Sequence, residues 1–202
     1  MRLGIFGGTF DPPHVGHLLA ASDACEALEL DQLLFIPASV QPFKGCQVEA
    51  SPLERLRMLE LMVAGDPRFA ADPVEIDRNG LSFTVETLET LAARQPGARR
   101  FLLIGEDLSR QITTWKDSRR IAELAEIIVL TRGGWADDTE ASGHRVPGEL
   151  ALTRIATRRV DVSSTEIRAR VLAGKSIHGF VTEAVAAFIE SAGLYRHRGT
   201  TC

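Results

Sequence analysis

Several features that mark out particular protein classes are scarce or absent in this sequence. Only three cysteines occur among 202 residues. They form no CxxC pair and have no histidines at zinc spacing, which argues against a disulfide framework and a structural zinc site. The net charge of −4 leaves no excess of basic residues for sequence-independent nucleic-acid binding. No apolar run approaches a membrane span, and the first residues lack the apolar stretch of a signal peptide. We therefore expect a cytoplasmic protein that binds neither nucleic acid nor a membrane.

The residues that are abundant indicate a globular α/β protein. Hydrophobic residues make up 45% of the chain and charged residues 25%, and short apolar runs alternate with helical periodicity. Strands are predicted at 3–6, 32–37, 69–76, 100–104, 126–131 and within 152–162. Helices are predicted at 14–28, 51–63, 82–94, 118–125, 163–172 and 182–192. This alternation predicts one domain over 1–202 with a Rossmann-like, doubly wound parallel sheet, to which 163–202 add a C-terminal helical appendage.

The most informative segment is Gly7 to His17, with the sequence GGTFDPPHVGH. It lies between the first predicted strand and the first predicted helix, where open parallel sheets bind their ligands. Gly7 and Gly8 allow a phosphate to approach the backbone, and the following helix start presents free N–H groups. The segment is neither GxGxxG nor a Walker P-loop. It therefore predicts a phosphate site that serves neither a redox dinucleotide nor a P-loop mechanism.

His14 and His17 are three residues apart, which places both on one face of a helix. Imidazoles at a helix start beside a glycine turn can donate hydrogen bonds to phosphoryl oxygens. The alternative is a helix cap and a buried structural histidine, which would be the better interpretation of a lone histidine. Two of them at this spacing favour a functional role.

A second segment, Ser163 to Arg168, reads SSTEIR. Ser163 and Glu166 have the spacing of a capping box, so the segment has a purely structural interpretation. Its hydroxyls, the helix N-terminus and Arg168 could also form a second anion site. Two anion sites that converge on one ligand would suit a polyphosphate.

Together these segments resemble the signature pair of the nucleotidyltransferase superfamily with the HxGH motif, GxFxPxHxGH and a late SSTxIR. Within it, the chain is similar to the bacterial nicotinate-nucleotide adenylyltransferases. Further matches cover almost the whole chain: Phe35-Ile36-Pro37, Pro42 with Lys44, Ser82-Phe83-Thr84, Gly105 with Asp107, Thr114-Trp115-Lys116-Asp117, Arg132 and the tail Gly174 to Tyr195. The departures from the family are Phe43 for its usual histidine, Glu106 within its GAD, Gly133-Gly134 within its RPG, and Thr182 for its usual proline.

The resemblance implies that ATP and nicotinate mononucleotide give deamido-NAD and pyrophosphate by direct in-line attack. It implies catalytic roles for His14, His17 and Arg168, with His17 stabilising the transition state. It implies ATP or phosphate contacts for Gly7, Gly8, Thr9, Phe10, Lys44, Ser163, Ser164, Thr165 and Arg132. Mg²⁺ would arrive with ATP rather than occupy a dedicated protein site.

On the acceptor side, the resemblance implies contacts from Ser82, Phe83, Thr84, Gly105, Asp107 and Trp115. Trp115 has two interpretations, a lid over the core or a stacking platform for the pyridine ring. Asp107 is either a helix N-terminal charge or an acceptor for a ribose hydroxyl. Arg132 either reaches the nucleotide or lies in solvent at a strand end.

Other functions remain open at this stage. The same chemistry could act on another phosphorylated acceptor such as phosphopantetheine, and a nucleotide-binding regulator could have kept the fold without turnover. A redox dinucleotide enzyme is disfavoured because GxGxxG is missing. The sequence also leaves the oligomeric state open, a homo-oligomer included.

Overall fold

The structure is a computed structural model that describes residues 1–40, 48–131, 133 and 150–197. In these ranges the strands are β1 (Arg2–Gly8), β2 (Gln32–Pro37), β3 (Phe69–Ala71), β4 (Arg99–Gly105), β5 (Glu126–Thr131) and β6 (Leu152–Ala156). The helices are α1 (Val15–Ala27), α2 (Pro52–Val63), α3 (Val74–Arg78), α4 (Thr84–Arg94), α5 (Glu106–Ser109), α6 (Ser118–Leu124), α7 (Ser164–Leu172) and α8 (Glu183–Ser191), with a short 3₁₀ helix at Ile112–Thr114.

The six described strands form one parallel sheet in the order β3-β2-β1-β4-β5-β6. The chain winds outward in one direction from β1 to β3 and then in the other from β4 to β6. The order therefore reverses between β1 and β4, where Ile5 is aligned with Leu102 and Phe6 with Leu103. This is the predicted doubly wound, Rossmann-like arrangement, and the reversal marks the place where such sheets bind ligands.

The apolar core lies on both faces of the sheet. On one face, Leu33 and Phe35 pack with Met58 of α2 and Val185 of α8. On the other face, buried residues of β1 pack against α4 and α6. Strands covered on both sides read as continuous apolar runs, which is why β1, β2, β4 and β5 could be predicted from the sequence. The C-terminal helices also contribute to the first cluster, through Ile167, Val185, Ile189 and Tyr195.

One prediction was wrong in the region after Phe69. The strand predicted over 69–76 ends at Ala71, and Val74–Arg78 forms α3 instead. Asp72 accepts a hydrogen bond from the Val74 N–H at 2.9 Å, which turns the chain, and Pro73 offers no N–H to a sheet. The short helices at 106–109 and 112–114 were not predicted either.

Of the three cysteines, only Cys25 lies in the described part of the chain; Cys46 and Cys202 lie outside it. Burial raises the pKa of the Cys25 thiol to about 11, so it packs in the core as an uncharged group. The Gly, Asp, Ser and Pro content of residues 133–148 predicts a loop, and this segment lies outside the described residues except for Gly133. Within the described ranges, no helix combines the length and apolar character needed to cross a membrane.

Candidate active site

A cleft of about 810 Å³ opens at the carboxyl ends of β1 and β4, where the strand order reverses. Most of the site residues expected from the sequence line it: Gly7, Gly8, Thr9, Phe10, His14, His17, Ser82, Phe83, Thr84, Gly105, Asp107, Trp115 and Ser164. Ser163, Thr165 and Arg168 do not line it. Lys44, Phe43 and Arg132 lie outside the described residues.

The two histidines meet at the start of α1. His14 is the N-cap rather than a helical residue, and its N–H donates to His17 Nδ1 at 3.2 Å. The two rings stack with their centroids 3.7 Å apart. His14 is buried and His17 half-buried. The expected juxtaposition therefore holds, although it arises from a capping interaction instead of a shared helical face.

Gly16 makes room for this stacked pair. A Cβ atom at Gly16 would lie 3.0 Å from His14 Nδ1 and 3.1 Å from its Cε1, closer than ordinary van der Waals contact. The glycine of the HVGH segment therefore allows the His14 ring to lie against the first turn of α1. This steric role was not predicted from the sequence, which drew attention to the glycines at 7 and 8.

Phe10 shapes the loop between β1 and α1. Its backbone is left-handed, with φ of 53°, and its ring packs edge-on against His17 at 5.0 Å. A Cβ atom at Gly8 would lie 2.9 Å from that ring, so a glycine is required there. Beside them, the Thr9 hydroxyl oxygen is buried in the cleft lining and has no hydrogen-bond partner in the described part of the chain. A phosphoryl oxygen bound in the cleft would supply one.

The Asp11 carboxylate fastens this loop to two distant segments. It is buried and accepts hydrogen bonds from the N–H groups of Glu49 (2.8 Å) and Ala50 (3.1 Å). The Tyr195 hydroxyl, from the last described turn of the chain, donates to it at 2.7 Å. Burial raises the pKa of Tyr195 above its usual range, and the adjacent Asp11 charge acts in the same direction. The phenol therefore stays a hydrogen-bond donor to Asp11.

Arg168 is held beside the cleft by the same region. Its Nε donates to Glu49 Oε1 at 3.0 Å, and its Nη1 donates to the Asp11 carbonyl at 2.8 Å. In the same helix, the Ser163 hydroxyl caps α7 by accepting from the Glu166 N–H, and the Ser164 hydroxyl donates to the Pro12 carbonyl at 2.8 Å. Ser163 thus caps its helix, but no bond among the described residues returns from the Glu166 carboxylate to the Ser163 N–H, so only half of the expected capping box forms. The segment also contacts the histidine loop through Ser164.

Ser82 and the start of α4 form the opposite wall of the cleft. The Ser82 hydroxyl accepts from the Ser39 N–H at 2.9 Å, which connects this wall to the segment after β2. The first N–H groups of a helix have no acceptors within the helix, so the α4 start at Thr84 can donate to a ligand. The Lys116 ammonium lies 4.4 Å from the centre of the Phe83 ring, and Trp115 lines the cleft while packing partly against the core.

Glu75 and Thr87 also line the cleft, next to this wall. The Thr87 hydroxyl donates to the buried Glu75 carboxylate at 2.7 Å. Arg78 lies beside them, and its guanidinium pairs with Glu86 at 3.4 Å. These contacts fasten α3 to the first turns of α4. Sequence reasoning missed them because it placed Glu75 in a strand.

Acidic groups also occur where β4 ends. Glu106, at the position where the resembling family usually has alanine, lines the cleft, and its Oε2 is buried without a hydrogen-bond partner among the described residues. Asp107 is exposed at the same rim. No group of three or more histidine, cysteine, aspartate or glutamate side chains within the described ranges is arranged to hold a metal ion.

A buried arginine behind the loop between β1 and α1 is the most prominent feature of this region that sequence reasoning missed. Arg55 of α2 is 2% exposed and donates to the carbonyls of Thr9, Ser39 and Ala50. Burial lowers the pKa of Arg55, and the Asp11 carboxylate opposes that shift. The sequence does indicate that Arg55 is buried, since it lies at helical spacing on the apolar stripe of α2 with Met58, Leu59 and Met62.

Comparison with known proteins places this cleft in a family context. The cytidylyltransferase-like family model matches residues 5–170. A probable nicotinate-nucleotide adenylyltransferase of Gemmatimonas aurantiaca is 48% identical, with 97% of this chain and 93% of the relative covered. One of Thermus thermophilus is 41% identical, with 97% and 100% covered.

A solved structure supports the fold independently of sequence. The Plasmodium falciparum nicotinic acid mononucleotide adenylyltransferase, complexed with NaAD, superposes with a TM-score of 0.74. The alignment covers 98% of each chain at 17% identity. At that identity the likeness establishes the Rossmann-like fold alone.

Proposed function

The chain belongs to the cytidylyltransferase-like family, and from that membership and its cleft we propose that it transfers AMP from ATP to nicotinate mononucleotide, giving deamido-NAD and pyrophosphate. The identity of 48% to a nicotinate-nucleotide adenylyltransferase over nearly the full length supports this substrate pair. The observation that carries the proposal is the stacked His14–His17 pair, which packs against Phe10 just beyond the end of β1 and lines a cleft of about 810 Å³.

The proposed reaction is a single in-line displacement. A 5′-phosphate oxygen of nicotinate mononucleotide attacks the α-phosphorus of ATP, and the bond from that phosphorus to the oxygen bridging to the β-phosphorus breaks. Pyrophosphate leaves with the bonding electron pair. The phosphate oxygen is already nucleophilic at neutral pH, so no covalent enzyme intermediate is required. The protein's contribution reduces to alignment and to stabilisation of developing charge.

We assign charge stabilisation to the histidine pair. His17 would donate to a phosphoryl oxygen of the transition state, and His14 would hold an adjacent oxygen while fixing the His17 ring by stacking. The Thr9 hydroxyl, which lacks a partner among the described residues, would bind a phosphate oxygen next to the Gly7 and Gly8 backbone. Ser164 lies in the same lining, at the start of α7.

Arg168 would contact ATP through only one of its three side-chain nitrogens. Two of its nitrogens are committed to Glu49 and Asp11, while its Nη2 makes no hydrogen bond to any described residue. We propose that this nitrogen reaches the polyphosphate when ATP is bound, beside Ser163 and Thr165. Lys44 and Arg132 remain predicted phosphate and nucleotide contacts.

The acceptor would occupy the wall formed by Ser82, Phe83 and Thr84. The N–H groups at the α4 start would donate to the nicotinate carboxylate, and Trp115 would stack on the pyridine ring. Gly105 and Asp107 would border the acceptor ribose. Nucleotidyltransferases generally use a divalent metal with ATP; we propose Mg²⁺, bound to the phosphates of ATP as part of the substrate. The cytoplasmic location and the oligomeric state stay predictions.

A pyrophosphate-release assay tests the function directly. ATP is supplied with nicotinate mononucleotide, nicotinamide mononucleotide or phosphopantetheine in parallel reactions. We expect turnover that is fastest with nicotinate mononucleotide. Faster turnover with phosphopantetheine would transfer the same chemistry to another acceptor, and no turnover with any of the three, despite ATP binding, would indicate a nucleotide-binding regulator.

A further inference from the structure

Arg55 connects three segments that the fold brings together behind the cleft. Its Nη1 donates to the Thr9 carbonyl at 2.8 Å, its Nη2 to the Ser39 carbonyl at 3.3 Å and its Nε to the Ala50 carbonyl at 3.2 Å. The side chain is 2% exposed, so it cannot touch a ligand in the cleft. Each of its three nitrogens binds a different stretch of backbone.

Two of those stretches belong to opposite sides of the proposed reaction. Thr9 lies in the loop between β1 and α1, residues 9–14, which would hold the phosphates of ATP and is called the phosphate loop below. The Ser39 N–H donates to the Ser82 hydroxyl at 2.9 Å, and the Val40 carbonyl accepts from the Ser82 N–H at 2.9 Å. Ser82 begins the wall that would hold the acceptor. A continuous path therefore runs from the phosphate loop through Arg55 and Ser39 to the acceptor wall.

We propose that Arg55 is a positioning residue that sets the separation between the phosphate loop and the acceptor wall. The inference rests on the proposed function and identifies what aligns its two substrates. A direct displacement without a covalent intermediate depends strongly on alignment, and a misplacement of about 1 Å can cost roughly 10²-fold in rate. A planar guanidinium can donate to three carbonyls in fixed directions, whereas a lysine ammonium on a flexible stem cannot reproduce that fork.

The matched test compares Arg55→Lys with Arg100→Lys. Arg100 also donates to backbone carbonyls, those of Leu124 (2.8 Å) and Gln95 (3.2 Å), but it lies at the opposite end of β4 from the cleft. Both variants lose a carbonyl-binding fork and keep the charge. The readout is the single-turnover rate with ATP saturating and with enzyme in excess over nicotinate mononucleotide, at an enzyme concentration above the Kd of the mononucleotide; this rate is independent of product release.

We expect Arg55→Lys to slow the saturated single turnover by about tenfold or more, with KM for each substrate changed by less than about threefold. Arg100→Lys should lower Tm without slowing that rate. If Arg55→Lys is folded at the assay temperature and keeps a single-turnover rate within twofold of wild type, Arg55 is a structural residue only and the proposal fails.

Ser82→Ala keeps the proposal testable if Arg55→Lys does not fold. It removes the Ser39–Ser82 hydrogen bond at a half-buried position without disturbing the buried guanidinium. A slower saturated rate with the acceptor KM changed by less than about threefold supports positioning, whereas a raised acceptor KM with an unchanged saturated rate means that Ser82 only contacts the acceptor and overturns it. The proposed function is tested separately, by the assay of the wild-type enzyme. If the wild type prefers another phosphorylated acceptor, the same variants are assayed with that acceptor.

Discussion

Gly16→Ala should separate the activity of this protein from its stability. The added Cβ would lie 3.0 Å from His14 Nδ1 and 3.1 Å from Cε1, so the ring must move by a few tenths of an ångström. His14 is buried and stacked 3.7 Å from His17, so its displacement also moves the second ring. If about 1 Å of misplacement costs roughly 10²-fold, this shift predicts a loss on the order of tenfold in single-turnover rate.

The same substitution should not weaken the fold. Gly16 lies in the first turn of α1, and alanine is favoured over glycine within helices by about 0.5–1 kcal/mol. We expect that gain to offset the crowding, so the free energy of unfolding should stay within about 1 kcal/mol of wild type. Gly65→Ala is the matched control: its Cβ would meet nothing within 4 Å, and both rate and stability should be retained.

Single-turnover kinetics and urea unfolding would check both expectations. A second comparison asks whether the effect runs through the histidine. When Gly16→Ala is combined with His14→Ala, we expect little further loss of single-turnover rate beyond that of His14→Ala alone. The ring that the methyl group would displace is already absent. A full tenfold loss in that background would mean that the methyl group blocks the ligand directly, which excludes displacement of the His14 ring as the cause.

Further predictions follow from the same geometry. His17→Ala should fold normally and lose about 10²–10³ in kcat, as expected for a preorganised donor to transition-state charge; near-normal kcat would remove the histidine loop from catalysis. Arg168→Ala should raise KM for ATP, and unchanged steady-state kinetics would leave its segment as a helix cap joined to Glu49. Nicotinate mononucleotide should exceed nicotinamide mononucleotide in kcat/KM, because α4 N–H donors would meet the amide NH₂ group. Trp115→Ala should lower kcat/KM for both mononucleotides, and no change would return Trp115 to a packing role. Tyr195→Phe should cost about 1–3 kcal/mol in urea unfolding because Asp11 loses a buried donor.

The sequence was sufficient for the layered architecture. Strands covered on both faces must be apolar throughout, so runs such as QLLFIP and EIIVLT could be recognised without knowledge of their neighbours. The Ser51–Glu54 capping box has the same local character, because both of its hydrogen bonds join residues only three apart. The prediction of a strand over 69–76 was wrong because the short apolar run shows no clear periodicity. The turn at Asp72 ends the strand instead.

In the candidate site, too, the features that depend on local sequence could be predicted and those that depend on distant contacts could not. The closeness of His14 and His17 could be predicted, since it depends on spacing within one short segment. The contacts of Arg55 and Asp11 could not be predicted, because their partners are distant in sequence. Arg55 bonds to Thr9 across 46 residues, and Asp11 bonds to Tyr195 across 184.

From the sequence alone one could therefore predict the long strands and helices and the closeness of the two histidines at the start of α1. Periodicity and capping depend on neighbours within about one or two turns of chain. The tertiary structure alone decided which loops meet, that Arg168 binds Glu49 and Asp11, and that a buried guanidinium joins the two walls of the cleft. The physical reason is that a buried charge must be satisfied by whatever polar groups the fold places around it, and those groups are chosen by packing rather than by proximity in the chain.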